Sequence, residues 1–356
     1  MRVLILQDHL RNGGTERQSV LLANTLANSD EIASTLLTFR PNGILATTLS
    51  PSTRLRTLQP FDTGLDWFAP RLRSTIAQSK PDVILCMGRM ANCYSGFLQR
   101  AFPRTAVVNT LRTGKKLPWL YRWSLQRTRH TIANSLAAAR ALELQYRVPP
   151  EKISLIYNTL LFDKLADDAS PPRTDTPPTL LCVAMFRPEK KHRALIEIVS
   201  RLPASFNWHL RLVGDGPTRP ACERLARQKG IAERVHFTGF LPDPRPLYCS
   251  ASVAVLTSHS ESLPNFLIEA HAHALPSVAY DVGGTAECGG IVVPAGNQDR
   301  FLAELSMLLT DDQHRAASAA AAKACALSRF SSENLLAYQP LFRRLADENL
   351  SAAACP

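Results

Sequence analysis

Short apolar or β-branched runs alternate along this chain with longer stretches in which apolar residues recur at helical spacing. Arg2–Leu6, Asp82–Met87, Thr105–Leu111, Leu180–Ala184, Trp208–Val213 and Val253–Thr257 are strand-like runs that set the rhythm. Such alternation predicts an α/β fold of parallel sheets covered by helices. Between Asp167 and Pro178, four prolines stand among Asp, Ser and Thr, where one series of strand–helix units stops and another starts. The pattern therefore predicts two Rossmann-like domains, residues 1–166 and 179–332, joined by a linker at 167–178. Ligands of such sheets bind at the carboxyl ends of the strands, so the two sheets are expected to face each other across a cleft that holds the chemistry. Residues 333–350 read as one helix with Leu335, Leu336, Leu341, Phe342 and Leu345 on or near one face. That helix is expected to pack back on the first domain.

Composition fits this picture. The 356 residues exceed one ordinary core and suit two domains of roughly 150 to 200 residues. No apolar run reaches the roughly 18 residues needed to span a bilayer, and the chain opens directly on a strand. The eight cysteines are scattered, with no Cys-x-x-Cys pair, and read as reduced thiols. A soluble, unprocessed cytoplasmic protein is expected. The net charge of +11 calls for an anionic partner: a nucleotide, a phosphorylated lipid, a membrane surface or nucleic acid.

Candidate chemistry lies at strand ends. After the first strand comes Gln7-Asp8-His9-Leu10-Arg11-Asn12-Gly13-Gly14-Thr15-Glu16-Arg17, then a helical pattern. Gly13 and Gly14 either form a plain tight turn or let backbone N–H groups approach a phosphate at the positive end of a helix. The spacing is not that of the dinucleotide binders. After strand Leu180–Ala184 follows Met185-Phe186-Arg187-Pro188-Glu189-Lys190-Lys191-His192, whose cations either start a solvated helix or offset charge developing on a leaving diphosphate. The stretch from Thr257 to Ala270 carries Glu261, then Leu263-Pro264-Asn265, then Glu269. Pro264 suits the first turn of a helix whose N–H groups would face an anion. One glutamate could hold the hydroxyls of a donor sugar and the other a ribose; chance and the preference of Glu for helix starts are the plainer explanation. Asp281-Val282-Gly283-Gly284 forms another turn at a strand end.

Taken together these pieces resemble the family 4 retaining glycosyltransferases of the GT-B fold, over nearly the whole chain. Gly13-Gly14-x-Glu16 resembles that family's first-domain phosphate loop. Leu212-Val213-Gly214-Asp215-Gly216-Pro217 and Phe237-Thr238-Gly239-Phe240 resemble its second-domain markers. Glu261 and Glu269 match its paired glutamates, and the resemblance implies that Glu261 contacts the donor sugar and Glu269 the ribose. It also implies base contacts from backbone near Phe240 and Leu241. Three positions depart from the family. Met185 stands where an Arg usually precedes the phosphate-binding Lys190, so Arg187 is expected to reach in its place. Arg112 replaces a His near the donor sugar. Ala274 stands where Gly is common, which is read as packing.

The resemblance implies a front-face displacement in which the leaving phosphate accepts the acceptor's proton, with Glu261, Arg112 and Lys190 as catalytic groups. Gly13, Gly14, Arg187, Gly214 and the helix start at Leu263–Phe266 would bind the donor, a nucleotide-diphosphate sugar. No cofactor or essential metal is expected, since no compact ligand set is visible and cations can replace it. The acceptor is expected to be a lipid-linked saccharide or another cell-surface glycan precursor. That expectation rests on the charge and on the basic run Arg112–His130, where Trp119 and Trp123 either face the core or lie at an anionic membrane surface. A peripheral place at the inner face of the membrane follows from the second option, and a nucleic-acid partner is not expected. Two rivals stand beside transfer: a nucleotide-sugar 2-epimerase of similar fold, and a non-catalytic protein binding nucleotides or anionic surfaces.

Overall fold

A computed structural model describes residues 1–160, 177–203 and 205–354, with side chains to residue 348. The chain divides into two compact units, Met1–Leu161 with Ser332–Pro356, and Phe162–Ser331. Most of the linker expected at 167–178 lies outside the described residues.

The first unit is built on a seven-stranded sheet: β1 Arg2–Gln7, β2 Ala33–Thr38, β3 Arg54–Thr57, β4 Val83–Cys86, β5 Ala106–Leu111, β6 His130–Ala133 and β7 Ile153–Leu155. Their order is β3-β2-β1-β4-β5-β6-β7, and the pairings are parallel. β4 and β5 are buried throughout, because both faces of the parallel sheet are covered; β4 is continuously apolar, while β5 also buries Asn109 and Thr110. β3 is exposed along its whole length. Its Arg54 and Arg56 suit an edge strand, where charge discourages pairing with other chains.

The second unit has a six-stranded sheet: β8 Thr179–Val183, β9 His209–Val213, β10 Val235–Gly239, β11 Val253–Leu256, β12 Ser277–Asp281 and β13 Ile291–Pro294. Its order, β10-β9-β8-β11-β12-β13, repeats the first. In each sheet the strand order reverses once, beside β1 and β4 in one and β8 and β11 in the other. At such a reversal the loops part and leave a crevice beyond the strand ends.

The C-terminal segment is not one helix. Helices Glu333–Leu336 and Tyr338–Ala354 meet at Ala337. Pro340 has no N–H to give the Leu336 carbonyl, and a proline is tolerated only in a helix's first turn, so the helix restarts just before it. Leu335, Tyr338, Leu341, Phe342 and Leu345 join the core formed by Val3, Ile5, Val83, Leu85 and Val108. Leu336, expected on the apolar face, is 56% exposed, because at 3.6 residues per turn it falls on the side opposite Leu341 and Leu345. Burying a side chain such as Phe342, which has no exposed surface, contributes about 2 kcal/mol.

Candidate active site

In the second unit the loop leaving β8 is held by its neighbour strand. The Ala184 N–H donates to the Val213 carbonyl and the Phe186 N–H to that of Asp215, each at 2.9 Å. Gly214 (φ +135°) and Gly216 (φ +150°) lie so close to this loop that a Cβ would sit 2.3 Å from the Ala184 oxygen or 2.5 Å from the Phe186 oxygen. Here glycine is required both by backbone angle and by space. The loop then makes one tight turn, Pro188–Lys190. The loop after β11 is tied to it: Thr257 Oγ1 donates to the Lys191 carbonyl (3.1 Å) and the His259 N–H to that of Glu189 (2.9 Å). These ties bring Lys190 Nζ to 2.5 Å from Glu261 Oε1, with the two side chains only 24% and 10% exposed.

Glu261 is fixed from the other side by the turn after β12. Gly283 (φ +57°) packs so tightly on it that a Cβ would lie 2.0 Å from the Glu261 carbonyl oxygen. Gly284 N–H donates to the Ser262 carbonyl at 2.9 Å. Leu263 is buried and Pro264 caps the helix Asn265–Ala272, one position earlier than a first-turn proline. The positive end of that helix follows Glu261 directly in sequence.

Glu269 is buried on the same helix and accepts the Tyr248 hydroxyl at 2.6 Å. Asp215 receives Arg219 at 2.6 Å and the Phe240 N–H at 2.8 Å, which sets the start of the Phe240-Leu241 segment. Arg187 is exposed and, among the described residues, joins no ion pair. His192 is no cation at neutral pH: it is stacked on Phe186, with centroids 4.2 Å apart, and burial pushes its pKa down to about 4.

In the first unit, Gly13 caps the helix Gly14–Ala27 in an extended conformation. Its angles do not demand glycine, but a Cβ there would meet the Glu16 carboxylate at 2.2 Å. Asp8, just past β1, accepts the N–H groups of Met90 (2.9 Å) and Ala91 (2.8 Å), so it caps the helix Arg89–Ala101 across the strand reversal. A Cβ on Gly88 would collide with it at 2.3 Å. Burial pushes the Asp8 carboxyl up to about 6, against the pull of the two N–H donors.

Arg112, past β5, donates to Asn158 Oδ1 (2.6 Å) and to the Tyr338 hydroxyl oxygen (2.5 Å). Its Nε is buried and unpartnered. Among the described residues no carboxylate pairs with it, so the guanidinium is held by neutral groups and keeps its charge for another partner. Asn334 braces the Asn158 carbonyl at 3.3 Å. Trp119 does not face the core, being 69% exposed, whereas Trp123 is half-buried. The seven cysteines among the described residues are free.

The structure thus joins Lys190 to Glu261 directly, and places Glu269, Gly214 and the Phe240 segment in the same unit. Asp8, Asn158, Tyr248 and Tyr338 carry no local signal of their roles. Each acts on a residue far away in sequence, Tyr338 on one 226 positions earlier.

Two family models match the chain: "Glycosyltransferase Family 4" over residues 12–160 and "Glycosyl transferases group 1" over residues 177–311. A lipopolysaccharide core biosynthesis glycosyltransferase of Rhizobium meliloti is 30% identical over 169 residues, 45% of this chain and 49% of that protein. The lipopolysaccharide 1,6-galactosyltransferase of Salmonella typhimurium is 23% identical over 58% of each chain. The chain thus spans about half the length of these curated relatives. Among solved structures, Anabaena HepE in complex with UDP superposes with a TM-score of 0.77 at 22% identity, over 99% of this chain and 100% of that one. Sucrose-phosphate synthase from Thermosynechococcus elongatus gives 0.79 at 19% identity, over 97% and 99%. These likenesses establish the fold.

Proposed function

The chain belongs to the family 4 glycosyltransferases, and from that premise we propose that it moves a sugar from a nucleotide-diphosphate sugar to a glycan or lipid-linked saccharide, with retention of anomeric configuration and without a metal. The reading is supported by relatives named for lipopolysaccharide core synthesis and by a solved neighbour in complex with UDP-glucose. The single observation that carries it is the Lys190–Glu261 pair at the strand reversal of the second unit.

In this proposal the bond from the anomeric carbon to the β-phosphate oxygen breaks as the acceptor oxygen bonds on the same face. The acceptor's proton passes to the leaving phosphate. Lys190 and Arg187 offset the phosphate charge, and the helix start at Leu263–Asn265 adds N–H donors; in the first unit the backbone of Gly13 and Gly14 offers N–H donors to an anion. Glu261 orients the donor sugar through its hydroxyls, Glu269 holds the ribose, and the main chain at Phe240 and Leu241 meets the base. Arg112 stabilises charge near the sugar.

A thermal-shift screen against nucleotide diphosphates and their sugars tests the donor class. At about a hundredfold excess over Kd, the matching nucleotide adds about 2.7 kcal/mol to the folded state, and Lys190→Ala removes most of that gain. If no nucleotide diphosphate stabilises the fold, the proposal fails.

A further inference from the structure

Ten of the 41 Lys and Arg residues lie between Val83 and Leu142, a stretch with no Asp or Glu, while the other 31 face all 30 acidic residues elsewhere. Nearly all of the chain's net charge of +11 therefore comes from sixty residues of the first unit. Two helices of this stretch, Arg89–Ala101 and Trp119–Leu125, pack closely because Gly96 leaves room: a Cβ there would lie 2.4 Å from the Trp123 ring. Ser124 Oγ donates to the Cys93 carbonyl at 2.8 Å and locks the crossing.

The close crossing puts aromatic rings on the outside. Phe97, 49% exposed, meets Trp123 with ring centroids 4.7 Å apart. The Arg127 guanidinium lies 4.3 Å from the Trp123 centroid. Trp119, one turn before Trp123, is 69% exposed, and Arg100 and Arg122 are exposed beside these rings on the same two helices. A folded domain has no internal reason to hold bare rings among unneutralised cations.

We propose that this face docks on an anionic lipid bilayer, with Trp119 and Phe97 at headgroup depth and Arg100, Arg122 and Arg127 on lipid phosphates. Indole rings favour that depth, and clustered guanidiniums favour the negative surface potential. Single-stranded nucleic acid fits less well, because successive bases need a row of open rings and Trp123, between Trp119 and Phe97, is covered by Phe97 and Arg127. The inference stands apart from the transfer reaction; on that reading, docking brings the enzyme to a lipid-linked acceptor.

Flotation of the full chain with phosphatidylglycerol-containing vesicles, against phosphatidylcholine alone, tests it. The parent floats with anionic vesicles at low salt and is released at high salt. Trp119→Ala/Arg122→Glu, both exposed positions, lowers the floated fraction about tenfold or more at an unchanged melting temperature and an unchanged nucleotide-induced thermal shift. Absence of flotation, or equal flotation of parent and variant, overturns the proposal. RNA binding that the same substitutions weaken, without flotation of the parent, assigns the face to nucleic acid and also overturns it.

Discussion

Arg112 keeps a charge that no carboxylate among the described residues shares, and Tyr338 is one of two neutral groups that aim it. Tyr338→Phe keeps the ring packed against Phe342 and deletes only the hydroxyl. A hydrogen bond to a charged group contributes about 1.5–3 kcal/mol, so kcat is expected to fall about tenfold or more while the KM for the donor stays nearly constant. Steady-state kinetics of the single variants and of Tyr338→Phe/Arg112→Lys, whose losses should not add, check this. Asp8 offers a pH test. Its folded carboxyl is raised to about 6 from an ordinary 3.8, so its contribution to stability is fully present below the lower value and is lost as the pH rises through the higher one. The unfolding free energy of the parent relative to Asp8→Asn should fall by about 3 kcal/mol across that window, as read by urea denaturation at several pH values. A difference that grows with pH would overturn the account of Asp8.

Ala274, two residues past the helix Asn265–Ala272, has φ +56°. The family's glycine is therefore a matter of backbone angle, not of packing as the sequence suggested, and the alanine here is strained. Ala274→Gly is expected to stabilise the protein by about 1 kcal/mol, measured by the denaturation midpoint at constant m-value. Elements were legible where burial is complete: β4 and β11 are continuous apolar runs because both faces are covered. β3 was not, since its exposed Arg-Leu-Arg-Thr carries no apolar run. The break at Ala337 was written in Pro340 but masked by the apolar repeat around it. Lys190 and Glu261 were legible because each sits in a distinctive local stretch at a strand end. The partners of Arg112 and Asp8 were not, because only the tertiary fold brings residues 112 and 338, or 8 and 90, together.

At the scale of the whole molecule, two units repeat one strand order, and no helix among the described residues is long and apolar enough to cross a membrane. The reversals beside β1 and β4 and beside β8 and β11 account for the candidate groups that follow β1, β8 and β11, while Arg112 follows β5, the next strand beyond β4. Charge is distributed unequally: the first unit's basic stretch contrasts with a nearly neutral remainder, so the proposed surface attachment and the proposed donor chemistry rest on different residues. Retaining transfer supported by the Lys190–Glu261 pair is tested by NMR assignment of the product's anomeric configuration, using the nucleotide sugar found in the thermal-shift screen and a saccharide acceptor. The account predicts a product with the donor's own configuration, and a turnover about 10²-fold or more lower in Glu261→Gln. An inverted product, or full turnover in that variant, would contradict it.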